Sequence, residues 1–278
     1  MSNLESNTYQ PLVSVALATY NGEKFLREQL DSLLNQTYQN IEIIISDDNS
    51  TDSTQLILQE YADRDSRVKW SLNKRERGFI NNFSEAIIRS VGEVIFLCDQ
   101  DDVWNNEKIK KHIDAYQDQS IMWVYNEVVV TDENRKITGY LTDTMPDYWT
   151  RRNLLYYTWG SCVLGCATSY RANLIKNIWP ADRNAPGHDS WIQLVIYPAK
   201  SSYLNEVLQE YRQHNQNTVG LKFVPEEEIN SREKLAIDNN LKYLKSLAFN
   251  PKLQLWKRLL LFCVYGIKLV KNYFLRHK

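Results

Sequence analysis

Short apolar runs alternate with helix-patterned stretches about every 30 residues through the first hundred positions, and two of those runs end in paired aspartates. Val13 to Ala18 alternates as a strand and leads into Thr19-Tyr20-Asn21-Gly22, a turn-forming sequence. Phe25, Leu26, Leu30, Leu33 and Leu34 recur at helical spacing, which predicts an amphipathic helix over about Glu23 to Asn35. Ile41 to Ile45 reads as a second strand, ends in Ser46-Asp47-Asp48-Asn49-Ser50-Thr51-Asp52, and precedes a helix pattern through Leu56, Leu58 and Tyr61. Val68, Trp70 and Leu72 alternate as a third strand, followed by a helix carrying Phe83, Ala86 and Ile87. Val94 to Cys98 is the fourth, too short and too rich in β-branched and aromatic residues for a helix. It ends in Asp99-Gln100-Asp101-Asp102-Val103-Trp104. This alternation predicts a parallel, doubly wound α/β sheet, in which ligands sit beyond the carboxyl ends of the strands.

Two acidic strand ends on one sheet edge restrict the chemistry. Clustered carboxylates repel one another and call for a cation. Oxygen-only ligands favour a hard ion, Mg²⁺ or Mn²⁺, which in turn favours a phosphate-bearing substrate. The competing reading is a solvated acidic turn with Asp102 as helix N-cap, and turn or cap work competes with ligand contact at Asp47 and Asp52 as well. No Gly-x-Gly-x-x-Gly follows the first strand and no Gly-x-x-x-x-Gly-Lys-Ser/Thr occurs, which disfavours a dinucleotide site or a P-loop.

A net charge near −1 over 278 residues argues against bulk nucleic-acid binding. The four cysteines, Cys98, Cys162, Cys166 and Cys263, form no Cys-x-x-Cys pair and fit a reducing compartment. Met1 to Gln10 is polar and lacks an apolar signal region, so a cytoplasmic location is expected. Beyond residue 120 the pattern changes. Ile121 to Val130 reads as a strand, Asp132-Glu133-Asn134 as a turn and Lys136 to Gly139 as the returning edge. Residues 140 to 160, rich in Tyr, Trp, Thr and Arg, read as a substrate-facing loop region. Cys162 to Thr168 reads as a buried strand, and His188-Asp189-Ser190-Trp191 opens an apolar helix.

The motifs after strands one, two and four resemble those of the inverting glycosyltransferase family 2. His188-Asp189-x-Trp191 and Tyr211-Arg212-Gln213-His214-x-x-Asn217 extend the likeness, which covers roughly residues 11 to 220. The Asp-Gln-Asp-Asp-x-Trp form is most similar to the bacterial rhamnosyltransferase branch, which builds surface polysaccharide from dTDP-rhamnose; relatives with similar motifs use UDP-hexoses. The resemblance implies the GT-A fold, a Rossmann-like and mostly parallel central sheet flanked by helices and joined to an acceptor half. It implies a donor pocket in which Thr19 and Asp48 line the base and ribose, supported by Tyr20, Glu23 and Asp47. Asn73 to Gly78 matches the loop where the family places a glycine and a basic or polar donor contact, with a solvated charge run as the alternative for each of its basic residues. Asp101 would bind the metal directly, Asp99 would touch ribose or metal-bound water, His214 would complete the metal's ligands and Arg212 would meet the diphosphate. Asp189 would be the general base, with His188 and Trp191 toward the acceptor. His188 departs from the acidic residue usual there. A helix cap remains the alternative for Asp189, and a structural role the alternative for His214. Trp104 reads as packing.

Lys252, Lys257, Arg258, Lys268, Lys271, Arg276 and Lys278 stud the last stretch, and no Asp or Glu lies among them. The apolar run Leu259 to Ile267 between them is too short for a bilayer core of roughly 30 Å. With Trp256, Tyr265, Tyr273 and Phe274 the stretch fits an interfacial anchor on anionic lipid; the alternative is a helix packed on the domain or on a partner subunit. A homodimer stays open. The expected organisation is a flexible 1–10, a GT-A domain over 11–220, and a helical extension over 221–278 with its basic amphipathic segment at 252–278. The domain divides into a nucleotide-binding half (about 11–104) and an acceptor half (about 105–220). The expected partners are a nucleotide-sugar donor, a lipid-linked saccharide acceptor and the inner face of the cell membrane. A nucleotidyltransferase would want a Gly-rich basic loop after the first strand, and a sugar-nucleotide-binding protein without chemistry would have no need of Asp99, Asp101, Asp189 and His214 together.

Overall fold

The computed structural model describes residues 9–140, 163–182, 184–215, 217 and 242–276, with 267–276 as helical backbone only. Residues 1–8 of the N-terminal arm, nearly all of the 140–160 loop region and the connecting stretch up to residue 241 lie outside the described residues.

The first half is built as the alternation predicts. β1 (Val13–Thr19), β2 (Ile41–Asp47), β3 (Val68–Leu72) and β4 (Val94–Cys98) alternate with α1 (Leu26–Leu34), α2 (Thr54–Arg64) and α3 (Phe79–Arg89). All four strands are parallel, in the order β3-β2-β1-β4. Alternate residues of β1 point to opposite faces. Val13, Val15 and Leu17 pack with α1, α2 and α4 (Lys108–Ala115), whereas Ala16 packs with α3 and the later helices. The sheet is therefore buried on both faces, which explains its near-continuous apolar runs.

Beyond β4 the sheet is mixed, with antiparallel pairs and one further parallel pair. β8 (Thr168–Arg171) runs antiparallel to β4, and β6 (Trp123–Thr131) antiparallel to β8. β9 (Ser201–Arg212) is parallel to β6, and β7 (Ile137–Tyr140) pairs with β6 further along. The two-residue β5 (Val103–Trp104) closes the far edge against Glu210 and Gln209 of β9. The acidic segment between β4 and β5 thus crosses from mid-sheet to the edge and meets the carboxyl end of β9. Cys162 lies outside the described residues, and the rest of the strand expected at Cys162–Thr168 is instead a 3₁₀ turn, Gly165–Ala167, leading into β8 at Thr168. The Ala167 amide donates to the Leu164 carbonyl (3.1 Å) and the Thr168 hydroxyl to the Gly165 carbonyl (2.5 Å), bonds that coil the backbone. α5 (His188–Ile196) and α6 (Leu255–Arg276) complete the structure, with a further helical stretch at 242–249.

Candidate active site at the acidic strand ends

The loop after β2 is saturated with hydrogen bonds. Asp47 is fully buried and accepts from the Thr19 hydroxyl (2.9 Å), the Ser50 amide (2.9 Å) and hydroxyl (2.5 Å), and Gln55 (3.2 Å). It therefore holds the loop from behind, and with it the hydroxyl of Thr19, a residue that the resemblance implied would line the pocket. Asp48 accepts from Asn73 Nδ2 and from the Gly78 amide, both at 2.8 Å, so it sets the course of the Asn73–Gly78 loop. Gly78 has φ +133°, a conformation open to glycine alone among common residues. Glu23 accepts from the Ser53 amide (2.8 Å), while Asp52 accepts from the Glu23 and Thr54 amides and so ties the first loop to the start of α2. Asn21 and Asn49, at φ +47° and +60°, turn the two loops. Tyr20 is 47% exposed, with the Arg77 guanidinium 5.1 Å from its ring centroid.

The loop after β4 is organised differently. Gln100 exchanges two hydrogen bonds with the Tyr20 backbone, at 2.9 and 3.0 Å. It approaches Gly22 so closely that a Cβ there would lie 2.3 Å from its Oε1. Asp101 accepts from His214 Nε2 (2.9 Å) and from Asn217 Nδ2 (3.2 Å). Asp102, fully buried, accepts from the Arg212 amide and from Gln209 Nε2, both at 3.1 Å. Burial, followed by the charges of Asp101 and Asp189, pushes the Asp99 carboxyl up to about 7. Among the described residues no lysine or arginine side chain bonds to Asp99, Asp101 or Asp189. The buried Lys108 ammonium acts on Asp99 through its charge, and less than the neighbouring carboxylates do.

A buried layer supports those acids. Lys108 of α4 is fully buried, donates to the Cys166 carbonyl (2.6 Å) and to Gln209 Oε1, and lies 3.8 Å from the Trp104 ring centroid. Burial pulls its ammonium down to about 8. Trp104 is core, packed on Phe96. His112, one turn beyond Lys108, bonds to Ser169 (2.8 Å) and Asn126 (3.0 Å). Sequence reasoning missed this layer, because a Lys-Ile-Lys-Lys-His-Ile-Asp-Ala segment looks solvated; the spacing of Lys108, Ile109, His112 and Ile113 at one helical face was the available signal.

Arg212 is not where the resemblance put it. Its side chain is 2% exposed, donates to Glu28 Oε2 (2.8 Å) and stacks 4.5 Å from the Phe25 ring centroid. Phe25 in turn meets the His214 ring at 4.6 Å. Arg212 thus braces His214 through Phe25 instead of facing a diphosphate. Asp189 sits in the first turn of α5, its Oδ1 accepting from the Ser190 amide (2.7 Å). Its charge reaches Asp99 across the sheet edge. His188 stacks on Phe83 at 3.9 Å and buries both ring nitrogens without a hydrogen-bond partner, and burial pulls its pKa down. Trp191 is fully buried and donates to the Ile178 carbonyl (3.2 Å), so it is core rather than an acceptor contact.

Known proteins bear on this geometry. An uncharacterized glycosyltransferase of Haemophilus influenzae is 37% identical over 127 residues, 44% of this chain and 39% of its own length. The chain therefore spans well under half of that relative. Escherichia coli WfaP, a UDP-Glc:alpha-D-GlcNAc-diphosphoundecaprenol beta-1,3-glucosyltransferase, is 29% identical over 213 residues, 76% of this chain and 81% of its own. Among solved structures, S. aureus TarS 1-349 in complex with UDP-GlcNAc superposes with TM-score 0.60 at 18% identity, covering 92% of this chain and 72% of TarS. The Pyrobaculum calidifontis mannosyltransferase PcManGT, in complex with GDP-Man and Mn²⁺, gives 0.56 at 16%, covering 96% and 83%. These two likenesses establish the GT-A fold. The model of glycosyl transferase family 2 matches residues 14–179, from β1 through both acidic strand ends to the turn before α5, and the chain belongs to that family.

Proposed function

We propose that this chain transfers a sugar from a nucleoside-diphosphate donor to a hydroxyl of a lipid-linked saccharide during bacterial surface-polysaccharide synthesis, inverting the anomeric centre in one displacement. The donor favoured by the Asp-Gln-Asp-Asp-x-Trp sequence is dTDP-rhamnose, with a UDP-hexose as the alternative. The diphosphoundecaprenol acceptor in the name of WfaP supports the lipid-linked acceptor, and with it a place at the cytoplasmic face of the membrane.

The observation that carries the reading is the set of carboxylates Asp99, Asp101 and Asp189 at the carboxyl edge of the sheet, to which no lysine or arginine bonds among the described residues. Such a cluster suits a hard divalent cation, Mg²⁺ or Mn²⁺, held by Asp101 and Asp99 with His214 beside them. Asp99, Asp102 and Cys166 also bring ligand atoms within 4.8 Å of one another. That set fits less well, because Asp102 is engaged by Gln209 and Arg212 and burial pushes the Cys166 thiol well up. Bound at Asp101, the cation would offset charge on the departing diphosphate.

The chain's own residues supply the rest. Tyr20 and Arg77 present an exposed ring and guanidinium to the donor, and Asp48 fixes the loop that carries Arg77. The Ser190 amide orients the Asp189 carboxylate, leaving Oδ2 to take the acceptor's hydroxyl proton as the new bond forms. Its negative charge also favours an oxocarbenium-like transition state. His188, beside it, is packed on Phe83 with both ring nitrogens buried, so its place in this reading is to shape the wall next to Asp189.

Incubation with a panel of dTDP- and UDP-sugars and Mn²⁺ tests the reading by release of nucleoside diphosphate. One donor, dTDP-rhamnose first, should be turned over and EDTA should stop it. Failure to bind or turn over any sugar nucleotide would sink the assignment, and EDTA-insensitive turnover would remove the metal.

A further inference from the structure

Among the described residues, α6 is apolar on two sides, one packed on the protein and the other exposed. Leu261 is fully buried against the core of the acceptor half, and Val264 and Tyr265 pack partly against it. Lys257 points the same way: its side chain is 1% exposed and its Nζ donates to the carbonyls of Val195 (2.6 Å) and Leu194 (3.4 Å) at the end of α5. Lys252 likewise donates to the Ile178 and Pro180 carbonyls, both at 3.0 Å. Two of the cations expected to meet lipid therefore fasten the helix to the protein. The opposite side carries Leu255, Trp256, Leu259, Leu260 and Phe262, each between 42% and 67% exposed. Phe262 forms an edge-to-face pair with Phe249, itself 61% exposed, at the end of the 242–249 helical stretch.

Charge identifies what covers this face. Lys242 and Lys245 are exposed on the 242–249 stretch, at spacings that place them on one face with Phe249. From Asn239 to Lys278 the sequence contains no Asp or Glu, while Lys268, Lys271, Arg276 and Lys278 follow in the last turns and tail. The acid found against this stretch, Asp182, accepts from Ser246 (2.9 Å) and Asn250 (3.2 Å) on the side that faces the protein. An apolar stripe with exposed lysines beside it complements an anionic bilayer surface, where rings and leucines enter the acyl boundary and lysines meet phosphate. At 22 residues α6 is roughly 33 Å long, yet among the described residues no helix is long and apolar enough to cross a membrane.

We propose that the Phe249, Leu255, Trp256, Leu259, Leu260 and Phe262 face lies flat in the surface of an anionic phospholipid bilayer, with Lys242 and Lys245 on the headgroups. It deepens the reading of a lipid-linked acceptor and rests on it for its purpose; the face itself is independent of the chemistry.

Co-sedimentation of the full chain with vesicles of phosphatidylglycerol and phosphatidylethanolamine tests it. The wild type should pellet with the vesicles. Leu259→Glu/Phe262→Glu, at positions exposed in the fold, should weaken partitioning by at least about tenfold with an unchanged circular dichroism spectrum and melting temperature. Lys242→Glu/Lys245→Glu should weaken it less. Wild type remaining in the supernatant would overturn the proposal, as would a Leu259→Glu/Phe262→Glu protein that pellets like wild type. A lipid-free dimer that this double variant dissociates would assign the face to a second copy and overturn it too. Nucleoside diphosphate release by the same protein without vesicles is read separately, so loss of lipid binding and loss of glycosyl transfer are distinguishable.

Discussion

The acids that follow β2 and those that follow β4 stand on one sheet edge, yet the fold treats them in opposite ways. Asp47 and Asp48 are supplied with donors by their own and neighbouring loops, and nearly every oxygen has a short partner. Asp99 and Asp101, from the loop after β4, and Asp189, from the start of α5, have few donors and no bonded lysine or arginine among the described residues. The first group is held by donors on its carboxylate oxygens; the second is the set proposed above to meet a cation and a reacting hydroxyl. What separates two Asp pairs of similar appearance is the supply of hydrogen-bond donors around them.

The contrast can be broken at three depths. Asp189→Asn keeps the shape of the second group and removes its base, so transfer should fall by about 10²–10⁴ with donor affinity unchanged. Single-turnover rates set against donor titration check this, and near-normal turnover would remove Asp189 as the base. Asp47→Ala acts on the first group and strands buried donors, so unfolding free energy should drop by about 2–3 kcal/mol in urea titrations. A folded Asp47→Ala protein with lost chemistry and unchanged stability would reverse the assignment. The smallest effect lies in the layer under β4. Burial, then the Lys108 charge, holds His112 down at about 3 against an unfolded value of 6.5. Between those values the unfolded chain binds a proton that the folded chain refuses, so stability is present above 6.5 and is lost as pH falls from there toward 3. His112→Gln should flatten that decline in urea midpoints measured across the range; an undiminished decline would place it elsewhere.

The half of the fold that was legible is the half where each strand is buried on both faces and reads as an unbroken apolar run. β9 was not legible. Its Ser-Ser-Tyr-Leu-Asn-Glu-Val-Leu-Gln-Glu-Tyr-Arg sequence has no clean period, because its pairing with β6 shifts register between Asn126 and Val128 and the strand passes from partly exposed to buried. α4 hid its buried face behind lysines and a histidine whose partners come from β6, β8 and β9. The acidic ends at Asp47 and Asp99 were visible as sequence, but their unlike roles were not. Arg212 shows why: its partner Glu28 is 184 residues away, and no local pattern encodes such a pairing.

α5 joins two features described separately. It begins at Asp189 and ends at the carbonyls that Lys257 caps, nine residues or roughly 13 Å along a single rigid rod. The Asp189 carboxylate stands at one end of this helix and the anchor of α6 at the other. If α6 rests on a bilayer as proposed, the proposed base stands one helix length from that surface, which limits how far from the bilayer an accepting hydroxyl can be reached.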